Sequence, residues 1–65
     1  MQEYQQRIVD EKAQLDGRLA NLNQFMGTIP FERLSRDEQC RMTTQMHLMC
    51  SYSAVLGARI TAFEP

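Results

Sequence analysis

The chain has 65 residues, 43% of them hydrophobic, with seven basic residues against eight acidic ones and a formal charge of −1. So short a chain hides only about 60% of the surface its unfolded form exposes, so it makes at most one thin domain, residues 1–65, which needs a disulfide, a metal or self-association to be stable. The charge balance excludes non-specific binding to duplex nucleic acid or anionic membrane, which select net basic surfaces, no run approaches the ~18 apolar residues of a membrane span, and no signal-peptide pattern is present.

The first predicted helix covers residues 2–26. It is built from Gln, Glu, Ala, Leu and Arg, all good helix formers, with Gly17 as its weak interior position. Glu3 sits at the positive end of the helix dipole. Ile8, Leu15 and Leu22 recur every seven residues, with Tyr4, Leu19 and Met26 alongside, and this spacing gives one apolar seam. A turn over 27–35 follows. Gly27 is placed as a left-handed residue closing the helix, and Pro30 removes a donor and pushes Ile29 toward extended geometry. Pro30 to Leu34 suit a single helical turn opened by Pro30, with Phe31 and Leu34 plugging the closed end.

Ser35 followed by Glu38 reads as a capping box that starts a second helix over 36–62. Its seam is Met42, Met49, Leu56 and Phe63, with Met46, Ser53 and Ile60 in the alternate slots. The methionines fit core better than an adaptable groove, given that spacing. The predicted fold is therefore all-α: an antiparallel two-helix hairpin with a short helical turn in the connection. Beside the main seam, Leu48, Tyr52 and Val55 form a second apolar strip. Either Phe31 and the N-terminal residues fold over it or another copy does. Size favours the second reading, a homo-oligomeric helical bundle with Leu48, Tyr52 and Val55 at the interface.

Cys40 and Cys50 lie about 15 Å apart along one helix and cannot pair within the chain. Two free thiols point to a reducing compartment, the cytoplasm. The lone His47 lies one turn from Cys50, and Cys40 is too far to complete a metal site, so no metal and no cofactor are expected. No Gly-rich loop, nucleophile elbow or paired carboxylates appear, and Asp10 and Glu11 read as solvated surface. No enzymatic activity is expected.

Gln45, Tyr52 and Arg59 are spaced by seven, flanking the main seam. An antiparallel turn brings Arg59 back beside Tyr4, Arg7 and Glu3. Tyr4 and Tyr52 offer faces for a planar ring, and Arg7 and Arg59, with Arg18 or Lys12 of another chain, offer forks for phosphate. The alternative is plain packing, with Arg59 paired to Glu3 or Asp10 and Tyr52 flat on the first helix.

Two resemblances sharpen this reading. Tyr4-x-x-Arg7-Ile8-Val9 with Leu15, Leu19, Leu22 and Phe25, and Gln45-Met46 with Met49, Tyr52, Leu56, Arg59 and Ile60, resemble short phage-encoded proteins related to a crAss-like phage hypothetical protein. The architecture is also similar to sponges of the anti-CBASS protein 2 type, short helical hairpins that form hexamers and sequester cyclic oligonucleotides of bacterial immune signalling. Tyr4 matches the ligand-contacting tyrosine of those proteins and Arg18 their basic residue, while their histidine-proline step is absent here. The resemblance implies a phage anti-defence protein of the host cytoplasm that binds cyclic dinucleotides or trinucleotides through Tyr4, Arg7, Arg18, Tyr52 and Arg59. The alternatives are an inhibitor of a host defence protein, such as a CRISPR effector or nuclease, acting through Gln5, Lys12, Asp16 and Asn23, and a purely structural oligomerisation module.

Overall fold

The computed structural model describes residues 1–63. Helix α1 spans Glu3–Met26, α2 Ile29–Glu32 and α3 Arg36–Thr61. There is no strand among the described residues. The two long helices pack antiparallel into a rod of 49 × 15 × 13 Å, the predicted hairpin with its extra turn.

At the start of α1 the Gln2 amide donates to Gln5 Oε1 at 2.8 Å, which satisfies one of the orphan donors every helix start leaves. The other end corrects an expectation. Gly27 has φ −93° and ψ 10°, and no residue among those described has a positive φ. No left-handed cap is needed because Thr28 takes over the closure. Its hydroxyl donates to the Phe25 carbonyl at 2.6 Å, and its Oγ1 accepts from the Phe31 amide. Thr28 thus ends α1 and caps α2 with one side chain, and Ile29, not Pro30, is the first residue of α2. Pro30 follows in the first turn, where its missing donor costs nothing.

Only one arm of the expected capping box forms at α3. Ser35 Oγ accepts from the Glu38 amide at 3.1 Å, but the Glu38 carboxylate turns to Arg41 at 2.7 Å. Gln39 supplies a further tie, donating to the carbonyls of Glu32 and Leu34, and so pins the start of α3 to the end of α2.

The interior is small. Ile8, Leu15 and Leu56 are its buried apolar residues, with Met49, Ile60 and Phe63 packed against them, and Leu56 alone is fully hidden. All six fall on the predicted seams. Aromatic pairs close both ends: Tyr4 meets Phe63 edge-on, with ring centres 6.1 Å apart, and Phe25 meets Phe31 likewise. Phe31 therefore covers Phe25 and leaves the Leu48–Tyr52–Val55 strip bare.

Candidate functional site

The two flanks of the hairpin differ in chemistry. On one flank a polar clasp joins the helices. Lys12 Nζ donates to Asp16 Oδ2 at 2.7 Å and to Ser53 Oγ at 3.1 Å, and the Ser53 hydroxyl donates to Asp16 Oδ1. Ser53 occupies an apolar slot of the seam, and it is buried there with both capacities of its hydroxyl used. The Lys12 side chain reaches it by crossing Gly57, where a Cβ would lie 3.2 Å from Lys12 Cε. Hydrogen bonds from Lys12 and then from Ser53 hold the Asp16 carboxyl below its ordinary value of 3.8, against a smaller opposing effect of desolvation. Lys12 and Asp16 are thus engaged with α3 and do not form the open strip with Gln5 and Asn23 that the sequence suggested.

The other flank is open. With the helices antiparallel and Lys12 on the clasp side, rotation of 100° per residue puts Tyr4, Arg7 and Arg18 of α1 on the same side of the hairpin as Tyr52 and Arg59 of α3. The five candidate ligand residues therefore share one face. Tyr4 and Tyr52 remain 56% and 45% exposed; Tyr4 is engaged edge-on by Phe63, and its exposed side and the Tyr52 ring are what the flank offers for stacking. Arg7 is tied to Glu3 at 2.9 Å in an exposed pair, weak enough to exchange partners. Arg59 stands in the last turn of α3, and neither Glu3 nor Asp10 takes it: Glu3 holds Arg7, and Asp10 accepts from Gln6. The five do not converge within one chain. Arg18 is about 16 Å along α1 from Arg7.

Tyr52 lines a shallow groove of 440 Å³ with Arg41, Thr44, Gln45, Leu48 and Met49. That volume suits a nucleotide-sized ligand, but such sites usually bury most of the ligand, and this groove is open on its outer side. A larger depression of 540 Å³ lies at the turn, between Phe31 and the Arg36–His47 stretch of α3. Its aromatic residue, Phe31, is half-buried and pairs with Phe25, whereas Tyr52 is exposed, so the Tyr52 groove is the better stacking site. Among the described residues no cluster of His, Cys, Asp and Glu is arranged to hold a metal, and no helix is long and apolar enough to cross a membrane. Cys40 and Cys50 are free and exposed.

The Sequestin family model matches residues 2–62. The chain belongs to the Sequestin family. No curated protein and no solved structure matches it, so the relation to particular phage proteins rests on sequence resemblance alone. In this Sequestin-family chain Arg41 also lines the Tyr52 groove. Glu38, Arg41, Gln45, Leu48, Tyr52, Val55 and Arg59 follow one another at alternating steps of three and four, which makes a second seam along α3 with an apolar middle and charged ends. Arg41 belongs to it. The signal was present in the spacing but hidden by polar residues at both ends.

Proposed function

We propose that this Sequestin-family protein is a phage anti-defence protein that works in the host cytoplasm as a homo-oligomer, binding a cyclic nucleotide immune signal without transforming it. The observation that carries the reading is the open face on which exposed Tyr4 and Tyr52 lie among Arg7, Arg18 and Arg59. Aromatic faces stack bases regardless of sequence, and guanidinium forks grip phosphate oxygens. The family name fits capture rather than catalysis. A groove open on one side suits a pocket completed by another copy, so that bound nucleotide is enclosed between chains.

Calorimetry with cyclic dinucleotides and trinucleotides, with linear mononucleotides as controls, tests the reading. At least one cyclic member binds at micromolar concentration or below. Arg59→Ala weakens it about tenfold to a hundredfold, as loss of one charged phosphate partner does. Tyr4→Ala costs about 1–3 kcal/mol, the worth of a stacked base. If no member of the panel binds, the reading falls.

A further inference from the structure

The apolar surface of α3 is wider than one neighbour can cover. Met46 and Val55 stand nine residues apart, so at about 100° per residue they mark the two edges of an apolar band about 180° wide. A helix packed on one neighbour turns a stripe of about 100° toward it. Apolar burial alone therefore sets the roll of α3 about its own axis loosely. The helix wheel shows which way it has settled. Tyr52 lies about 40° from the fully hidden Leu56 on one side, and Ser53 about 60° from it on the other. A seam centred on Leu56 would cover Tyr52 more deeply than Ser53. The structure has the reverse: Ser53 is buried and Tyr52 stays 45% exposed.

We propose that the Lys12–Asp16–Ser53 clasp is a rotational lock, which holds α3 rolled toward the Lys12 edge of α1 and so keeps Tyr52 out of the core and on the open flank. Among the described residues the clasp supplies the only side-chain hydrogen bonds between α1 and α3, and it acts on one edge of the seam. Lys12 reaches Ser53 from that edge, its stem crossing α3 at Gly57, where an added Cβ would stand 3.2 Å from Lys12 Cε. Rolling α3 the other way would bury more of the Tyr52 ring, which the hydrophobic effect favours. The same roll would carry Ser53 away from Lys12 and Asp16 and break two hydrogen bonds, each made to a charged group. The polar tie opposes the apolar gain and wins. Tyr52 is left lining the 440 Å³ groove with Leu48 and Gln45. Lys12, Asp16 and Ser53 are thus positioning residues for that groove, although none of them lines it.

The lock rests on packing, and only its value to a ligand rests on the sequestration reading. Nitration of the ligand-free protein with tetranitromethane tests it, after alkylation of the two exposed cysteines and with mass spectrometry of peptides to locate the product. Tyr4, on the same flank, is the internal reference for Tyr52. Ser53→Ala cuts the tie while Lys12 and Asp16 keep each other on α1. Once the two rolls are comparably populated, Tyr52 is shielded about half the time and its rate relative to Tyr4 falls about twofold. Ser53→Thr keeps the hydroxyl and with it the wild-type ratio. Lys12→Ala combined with Asp16→Ala cuts the tie from the other helix and lowers the ratio as Ser53→Ala does, and it decides alone if Ser53→Ala fails to fold by circular dichroism. A Tyr52-to-Tyr4 ratio that stays at the wild-type value when the tie is cut overturns the lock. Failure of every cyclic nucleotide to bind wild type would overturn the sequestration reading and leave the ratio result standing.

Discussion

Leu56 is the one fully hidden large side chain, so Leu56→Ala is the sharpest probe of the hairpin core. Leu→Ala changes in cores cost about 2–5 kcal/mol, the value rising with the cavity left behind. Here the walls are two helices whose other core residues, Ile8 and Leu15, each keep 7% exposure, and a rod 15 × 13 Å in section closes or wets a gap easily. The lower part of the range applies, about 2–3 kcal/mol. Domains of this length hold about 3–10 kcal/mol in total, so the substitution removes a large share of stability and lowers Tm by about 10–20 °C. Leu48→Ala is the matched control. In an isolated hairpin it touches solvent and changes stability by less than about 0.5 kcal/mol. In a paired protein it costs about 1–3 kcal/mol and the loss shrinks as protein concentration rises. Circular dichroism melts at two concentrations separated by a hundredfold measure both. A Leu56→Ala protein within 0.5 kcal/mol of wild type would refute the assignment of the core.

The glycines give a contrast within the same helices. Gly17 has nothing within 4 Å of an added Cβ, so Gly17→Ala stabilises by about 0.5–1 kcal/mol in urea titration. Gly57→Ala gains the same helix propensity but crowds Lys12, whose ammonium is held by Asp16 and Ser53, so its gain is smaller than that of Gly17→Ala. Asp16 has a depressed pKa in the folded chain, so its clasp contributes stability that is fully present above the unfolded value and lost as pH falls through the folded one. Denaturation followed from pH 6 to pH 2 shows this acid-side loss begin near pH 4, and Asp16→Asn removes that component.

The hairpin was legible because its seams repeat at coiled-coil spacing and because Pro30 and Ser35 break and restart the helix at fixed points. Gly27 misled because glycine after a helix usually means a left-handed cap, whereas Thr28 supplies the closing bonds through its hydroxyl. The clasp was illegible for a different reason: Lys12, Asp16 and Ser53 are 41 and 37 residues apart across the helices, and only the register of α1 against α3 brings them together. Ser53 in an apolar slot, four residues before Gly57, was the available hint. Tyr4, Arg7, Arg18, Tyr52 and Arg59 were nameable from the sequence only as candidates, because helix periodicity places them on one flank without saying what that flank binds. Arg41 was missed because a seam is ordinarily sought through apolar residues, and this one ends in charge.

Sequestration differs from both indifference and catalysis in what happens to the ligand, so the decisive measurement follows the ligand itself. The protein is mixed in molar excess with the cyclic nucleotide that calorimetry selects, filtered to assay the free concentration, then heat-denatured and filtered again, with mass spectrometry on both filtrates. Sequestration gives depletion of the free nucleotide in the first filtrate and its full recovery, chemically unchanged, in the second. An undiminished first filtrate, or a linearised product in the second, would contradict it.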